Sequence, residues 1–197
     1  MLTKKEKHHF YAFLSRMKYI NRWGLMRNTQ SENVQEHSLQ VAVIAHALAV
    51  IRNTYFDGNI NPYEVAVCAM FHDCSEILTG DMPTPIKYMN KEMNTAYKEI
   101  EQAANNKILS LLPMEMKDFY KDIFLQENQE TEKVIKAADK ISAYIKCVEE
   151  EKAGNNEFRK ASETIYAAIK EFKLPEVVYF MEKFIPSFYL SLDELDL

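Results

Sequence analysis

Helix start and stop signals recur along the whole chain, and they constrain the fold more than any other feature. Asn61-Pro62 pairs a residue that caps helix N-termini with a proline suited to the first helical position. Gly154-Asn155-Asn156 ends one helix and offers Asn156 as the cap of the next. Ser191, followed three residues later by Glu194, predicts a capping box. Since no alternating strand pattern of useful length competes with these signals, the chain is predicted to be all-α.

The apolar spacing between these signals predicts one domain, residues 1–197, with roughly eight or nine helices. Only four glycines and six prolines occur, which agrees with a helical composition. Two prolines and a glycine within residues 79–85 predict an irregular loop. The predicted helices run approximately over residues 4–20, 33–52, from 61 to that loop, 90–112, a shorter stretch from 113, 131–152 with Thr131 as its cap, 156–173 and 175–186.

Charge, cysteine usage and hydropathy argue against several partners. With 24 Lys and Arg against 29 Asp and Glu, the net charge is −5, which disfavours long nucleic acid and anionic membranes. Three cysteines without a CxxC pair predict reduced thiols. The most apolar stretch, residues 41–51, is shorter than the roughly 20 residues of a membrane span. Because the N-terminus also lacks a signal-peptide core, we expect a cytoplasmic protein without a membrane span.

An unusual set of ionisable residues follows the apolar run 65–71. His72, Asp73 and Glu76 lie within one and a half turns, and a continuous helix would place His72 and Glu76 on one face. One interpretation is a hydrogen-bonded pair at a helix end, with Glu76 as an exposed charge. The other is a metal site with a general base, because ionisable groups beside a buried segment must be paired or ligated.

Two of the five histidines lie on the helix predicted over residues 33–52. His37 and His46 are nine residues apart, about 900° of helical rotation, so they face opposite sides. His37, in the first turn, suits a ligand that faces a cleft, whereas His46 lies between alanines and is predicted to pack in the core. His8 and His9 neighbour lysines and are predicted to be solvated.

Asp139 is the candidate for a further acidic ligand. It lies on a predicted helix beside an apolar stripe, with two alanines that allow another helix to approach closely. The alternative is an acid at the edge of the surface, paired with a lysine. Spacing alone does not decide between the two.

The order His37, His72-Asp73, Asp139 resembles the H…HD…D signature of the HD-domain phosphohydrolase superfamily. More narrowly, the chain resembles the bacterial HD-domain 5'-deoxynucleotidases over nearly its whole length. The matching segments are residues 20–23, 32–34, 36–42, 72–73, 75–76, 79–81, 83–85, 139, 154–158 and 186–194.

This resemblance implies a role for each matching residue. His37, His72, Asp73 and Asp139 would bind one divalent metal, and two imidazoles with two carboxylates favour a transition metal, Co or Mn first, with Zn, Ni, Fe or Cu as alternatives. Glu76 would be the general acid and base, and Arg22 and Trp23 would hold and orient the phosphate. The remaining substrate contacts would come from His37, Asp81, Met82, Pro83, Thr84 and Asp139. Trp23 and Asp81 would reject a ribose 2'-hydroxyl.

The resemblance further implies hydrolysis of deoxyribonucleoside 5'-monophosphates by a homodimer. Met82 stands where leucine is expected, a swap that conserves volume and polarity. Two alternatives stay open at this point: an HD phosphohydrolase of another phosphorylated small molecule, and a non-catalytic helical protein that binds metal or nucleotide. Without the resemblance, we would predict Arg22 to be a surface arginine and Trp23 to be a core or edge residue. The Asp81 loop would be interpreted as a turn that ends a helix.

Overall fold

A computed structural model of the chain describes residues 7–87, 89–125 and 128–195. These residues form ten α-helices and no β-strand, which confirms the predicted all-α class. The helices are α1 (Phe10–Leu14), α2 (Val34–Tyr55), α3 (Pro62–Met70), α4 (Glu76–Thr79), α5 (Thr84–Lys87), α6 (Lys91–Leu109), α7 (Met114–Leu125), α8 (Gln129–Lys152), α9 (Arg159–Lys170) and α10 (Pro175–Lys183). Short 3₁₀ turns occupy Ser15–Tyr19, Asn156–Phe158, Ile185–Tyr189 and Leu192–Glu194.

The two longest helices, α2 and α8, cross at the centre of the molecule. Helix α2 packs against α3, α8 and α10, and α8 also packs against α9. Ala45 and Leu48 of α2 and Ala138 and Ile141 of α8 are fully buried in the same core cluster. The small side chain of Ala138 lets the helices approach closely, so side chains at their contact face one another.

Helix α2 is long and apolar enough to cross a membrane by length and composition alone. It spans 22 residues, twice the apolar stretch expected from sequence. However, 56% of its most apolar window is buried inside the fold. Packing against α3, α8 and α10 accounts for this composition.

Two of the four predicted caps act as expected. At the start of α2, a capping box that was not predicted from the sequence joins Asn33 and Glu36. Asn61 caps α3 with Pro62 in its first turn. Ser191 and Glu194 form the predicted box at the C-terminal 3₁₀ turn. Two caps shift along the chain: Asn128 instead of Thr131 caps α8, and Asn155 instead of Asn156 caps the turn before α9.

The prediction of one continuous helix carrying His72 and Glu76 is wrong. Helix α3 ends at Met70, residues 71–75 form a turn, and Glu76 begins α4. Within the turn Phe71 N donates to Cys68 O, and His72 N donates to Ala69 O, the carbonyl that also accepts from His72 Nδ1. These tighter bonds replace the regular helical ones and unwind the helix at the His-Asp pair.

Three further expectations need correction. The first predicted helix is a single turn, α1, followed by a 3₁₀ segment, and its residues 4–6 lie outside the described chain. The loop predicted over 79–85 covers only 80–83, since Pro85 is tolerated in the first turn of α5. His46 is half-buried, with its ring 6.0 Å from that of the exposed Tyr63, and is not a core residue. His8 and His9 are exposed, as predicted.

Candidate active site

Three separate segments bring four of the predicted residues together. His37 is in the first turn of α2, His72 and Asp73 are in the turn between α3 and α4, and Asp139 is in the middle of α8. His37 Nε2 lies 3.1 Å from Asp139 Oδ1 and 3.5 Å from Asp73 Oδ2, and His72 Nε2 lies 3.1 Å from Asp73 Oδ2. His37, His72 and Asp139 each offer one potential metal-ligand atom, and these three atoms all lie within 4.8 Å of one another. The structure therefore forms one cluster of two imidazoles and two carboxylates.

Hydrogen bonds on the far side of each imidazole fix its orientation. His72 Nδ1 donates to Ala69 O at 2.7 Å. His37 Nδ1 is 3.1 Å from Ser142 Oγ, which donates its own proton to Gln40 Oε1 at 2.6 Å and so accepts from the ring. Both rings therefore carry their proton on Nδ1 and turn the lone pair of Nε2 towards the carboxylates.

The two Nε2 atoms are buried and make no hydrogen bond of good geometry with the described residues, although carboxylate oxygens lie close by. Nitrogen lone pairs that converge with carboxylate oxygens in this way suit a divalent cation better than they suit direct pairing. The residues present thus fit a metal site.

Electrostatics at three of the four clustered residues favour the protonation states that a metal requires. Burial, followed by the charge of Arg22, lowers the pKa of His37. Burial alone would raise the pKa of Asp73, but the adjacent imidazoles of His72 and His37 and the charge of Arg22 hold that pKa below its usual value. The pKa of Asp139 is likewise lowered, against burial, by the adjacent imidazole of His37 and the charge of Lys140. His72 is the exception: burial would lower its pKa, but the charge of Asp73 outweighs burial and raises the pKa, which favours the protonated imidazole.

Asp139 combines both of the interpretations that its sequence position allowed. Its Oδ1 faces His37 inside the cluster, while its Oδ2 lies 3.2 Å from Lys140 Nζ. The lysine pairing does not take the residue away from the site, since each carboxylate oxygen has its own neighbour.

Glu76 is buried next to the cluster and is not an exposed charge at a helix end. The residue is only 6% exposed, and its Oε2 has no hydrogen-bond partner among the described residues. Burial, together with the negative charges of Asp73 and Asp81, raises the pKa of Glu76 to about 10. A carboxyl group with such a perturbed pKa beside other ionisable groups is typical of catalytic sites.

Arg22 is also largely buried, with 12% of its side chain exposed, so it is not a surface arginine. A short antiparallel pairing positions it: Arg22 N donates to Glu32 O, and Val34 N donates to Ile20 O, each at 2.9 Å. The pairing closes a loop over residues 23–31. Arg22 Nη1 then lies 3.6 Å from Asp73 Oδ2, beside the cluster.

Trp23 and the Asp81 loop meet across this site. Trp23 N donates to Asp81 Oδ2 at 3.3 Å, and its ring centroid lies 5.3 Å from that of Phe158. Gly80 turns the chain out of α4 towards Asp81 with φ +74°, a conformation that suits glycine. Next along the chain come the half-buried Met82 and Pro83 and the exposed Thr84. Their contact with substrate stays a prediction.

Sequence reasoning missed several residues that shape the site. Ser142 and Gln40 orient His37, and each lies three residues from a predicted ligand on the same helix, a spacing that would have pointed to them. Glu32 accepts hydrogen bonds from both Arg22 and Trp23. The buried Lys146 and Glu150 hold the outer part of the 23–31 loop, which no local pattern signalled.

Known proteins similar to this chain share one activity in their names. The family described as 5'-deoxynucleotidase YfbR-like matches residues 9–188. A 5'-deoxynucleotidase of Vibrio vulnificus is 52% identical over 192 residues, covering 96% of this chain and 99% of that protein. The 5'-deoxynucleotidase YfbR of Escherichia coli is 50% identical over 189 residues, covering 95% of each chain.

Solved structures show the same fold at lower identity. An HD-domain phosphohydrolase of Listeria innocua aligns with a TM-score of 0.81 at 24% identity, covering 93% of this chain and 90% of its own. The HD phosphohydrolase DatZ of cyanophage S-2L, solved with dA and one catalytic Zn²⁺, aligns with a TM-score of 0.66 at 18% identity, covering 89% and 96%. The chain has the fold of these HD-domain phosphohydrolases. The family match over residues 9–188 and the full-length similarity show that it belongs to the YfbR-like 5'-deoxynucleotidase family and is a hydrolase of that type.

Proposed function

We propose that the protein hydrolyses deoxyribonucleoside 5'-monophosphates to deoxyribonucleosides and phosphate. One observation carries the proposal: His37, His72, Asp73 and Asp139 converge from three segments, with Glu76 and Arg22 on the same cluster. The activity named for relatives at about 50% identity over nearly the full length supports this substrate class.

We assign His37, His72, Asp73 and Asp139 as the ligands of one divalent transition metal, with Co or Mn expected first. The nitrogen and oxygen donor set suits such ions better than Mg, and the Zn²⁺ of DatZ shows that a related fold holds a transition metal. When bound, the ion neutralises charge on the phosphoryl oxygens and lowers the pKa of water. His37 and Asp139 would also border the substrate phosphate.

Arg22 and Glu76 have complementary roles in this proposal. The planar guanidinium of Arg22 presents paired N–H groups that match two phosphate oxygens, and its charge stays permanent because neighbouring carboxylates raise its pKa even though burial opposes them. The raised pKa keeps Glu76 protonated at neutral pH in the ligand-free protein, and the charge of a bound cation would lower that pKa. As a carboxylate, Glu76 would take a proton from the attacking water through its unpartnered oxygen and return one to the leaving 5'-oxygen.

The sugar is selected by the two loops that meet at Trp23 and Asp81. The hydrogen bond between them joins the 23–31 loop to the 80–83 loop. Pro83 stiffens the 80–83 loop, and Met82 and Thr84 lie next to it along the chain. A rigid loop beside the sugar cannot move to make room for an added 2'-hydroxyl, so deoxyribose is preferred.

The decisive experiment is a phosphate-release screen. Purified protein is first stripped with chelator and then assayed with Co²⁺, Mn²⁺, Zn²⁺, Ni²⁺ or Mg²⁺ against deoxy- and ribonucleoside 5'-monophosphates. We expect metal-dependent phosphate release that favours the deoxy series. Release of pyrophosphate from triphosphates, cleavage of cyclic nucleotides alone, or activity that survives chelation would each contradict the proposal.

We also infer a homodimer formed through an exposed apolar face on α2 and α3. The face consists of Leu39, Val43, Val50, Tyr63, Val67 and Met70, at helical spacing on both helices. The contact between His46 and Tyr63 makes it continuous across the two helices. An apolar patch of this kind on a compact fold is typical of a subunit interface.

Sedimentation analysis tests this inference directly. Val43→Glu should convert a dimer to a monomer, whereas Phe119→Glu, at an exposed apolar residue on α7, should not. A wild-type monomer at micromolar concentration would contradict it.

We further infer a reducing compartment such as the cytoplasm, because all three cysteines are buried and no disulfide joins them.

A further inference from the structure

One carboxylate oxygen holds the two residues that we assign to the phosphate and the sugar. Glu32 Oε2 accepts from Arg22 Nε at 3.0 Å and from Trp23 Nε1, also at 3.0 Å. The Glu32 side chain is only 13% exposed, so these charge-assisted bonds are sheltered from water. The same residue accepts from Arg22 N through its backbone carbonyl.

Glu32 sets the direction in which the Arg22 guanidinium points. With Nε engaged, both Nη groups stay available on the side that faces the cluster, where Nη1 lies 3.6 Å from Asp73 Oδ2. The charges of Asp73 and Asp139 attract the guanidinium from that side. Without Glu32, the guanidinium loses the hydrogen bond that fixes its direction, and its Nη groups would lose their phosphate-binding geometry.

Glu32 likewise fixes the indole of Trp23. The backbone of Trp23 has φ +59°, in the left-handed region that a tryptophan rarely adopts. The bonds from the indole to Glu32 and from the backbone to Asp81, with ring packing on Phe158, hold this conformation. Of these three contacts, the one to Glu32 also involves Arg22, and it is lost when the Glu32 carboxylate is removed.

The outer part of the 23–31 loop has a separate anchor. Glu150 accepts from the backbone N–H groups of Thr29 and Gln30, and from the hydroxyl of Thr29. Lys146, which pairs with Glu150, donates to Gln30 O at 2.5 Å. A Glu32 variant therefore keeps the loop attached to α8, which makes substitution at Glu32 a test of geometry and not of folding.

We propose that Glu32 is a positioning residue that couples phosphate binding to deoxyribose selection by holding Arg22 and Trp23 with one carboxylate oxygen. The proposal rests on the roles assigned to Arg22 and Trp23 in the proposed function. It makes no demand on metal binding, because Glu32 contacts none of the four clustered residues in the described structure.

The kinetic test compares Glu32→Ala and Glu32→Gln with Glu157→Gln as a matched control. Glu157 anchors the same loop at Arg27 and contacts neither Arg22 nor Trp23. Glu32→Ala should lower kcat/KM on a deoxynucleotide by up to roughly 100-fold, the loss that a displacement of about 1 Å can cause at a reacting centre. The kcat/KM of Glu32→Gln should lie between those of Glu32→Ala and the wild type, since the amide oxygen still accepts hydrogen bonds but carries no charge. The ratio of deoxyribose to ribose activity should narrow in both.

The spectroscopic test needs no substrate, because Trp23 is the only tryptophan in the chain. Emission wavelength and anisotropy of the ligand-free protein therefore report on this indole alone. We expect a shifted emission and lower anisotropy in Glu32→Ala, with Glu157→Gln like the wild type. Co²⁺ affinity, measured by chelator competition, should be unchanged in all variants.

Two results would overturn the proposal. One is a wild-type sugar preference and kcat/KM in Glu32→Ala. The other is reduced activity with unchanged Trp23 emission and a lowered Tm, which would show a merely structural role. An inactive wild-type protein would instead reject the proposed function, while Trp23 emission in the same variants still decides whether Glu32 holds the indole.

Discussion

Removal of the Ser142 hydroxyl is the sharpest test of how the fold prepares His37 for a metal. The Ser142 side chain is fully buried, and its Oγ accepts the Nδ1 proton of His37 while it donates to Gln40. In Ser142→Ala without metal, the imidazole can carry its proton on Nε2 and donate to Asp139, 3.1 Å away. Metal binding through Nε2 forces the proton back to Nδ1, where no acceptor remains. The cost therefore falls on the metal-bound state.

Two independent estimates agree on the size of this effect. A buried donor left without an acceptor costs about 1–3 kcal/mol. Loss of a residue that orients a metal-binding histidine typically weakens metal affinity about 10- to 100-fold. That range corresponds to about 1.4–2.7 kcal/mol, so we expect Ser142→Ala to bind Co²⁺ or Mn²⁺ about 10- to 100-fold more weakly than the wild type.

Competition with a chromogenic chelator measures this affinity without any turnover. Ser38→Ala is the matched control, because Ser38 is a buried serine next to His37 whose Oγ has no hydrogen-bond partner among the described residues. We expect Ser38→Ala to retain wild-type affinity. Equal affinities for the wild type and Ser142→Ala, or equal losses in both variants, would refute the role of the hydroxyl.

Three further predictions concern catalysis, sugar selection and acid stability. Glu76→Ala should keep wild-type metal affinity but lose about 100- to 10,000-fold in kcat, as expected for loss of an acid-base group, and a near-wild-type kcat would reject its role. Asp81→Ala should narrow the deoxyribose-to-ribose ratio of kcat/KM because Trp23 loses its backbone partner; an unaltered ratio would contradict this. Although burial opposes it, hydrogen bonds from Lys146, Asn155 and Thr29 lower the pKa of Glu150 from 4.5 to about 2. A lowered acid pKa stabilises the fold above pH 4.5, and this stability is lost as the pH falls towards 2. Glu150→Gln should flatten Tm against pH in that window and cost roughly 3 kcal/mol or more at neutral pH, because the buried charge of Lys146 loses its carboxylate; a Tm like the wild type's would refute it.

Local sequence signals set most of the secondary structure. Caps such as Asn33 and Asn61 act within one turn, so their residue type and spacing suffice to locate the starts of α2 and α3. The same locality explains the failure at residues 71–75. There the helix unwinds because His72 Nδ1 takes up the Ala69 carbonyl, a choice that depends on where the ring must point in the assembled site.

The residues of the cluster were identifiable from their order along the chain, but their partners were not. His37 and Ser142 are 105 positions apart and meet only because α2 packs against α8. Glu32 meets Arg22 and Trp23 through a short pairing that no periodic pattern announces.

The sequence by itself determined the helical class, caps such as Asn61 and which imidazoles and carboxylates are available to a metal, because these depend on residue type and near neighbours. Only the tertiary structure decided that Asp139 faces His37 while also reaching Lys140, and that Ser142 and Glu32 orient the functional side chains. The physical reason is that a hydrogen bond between distant segments is set by the angle and distance at which helices pack, which depend on the whole core at once.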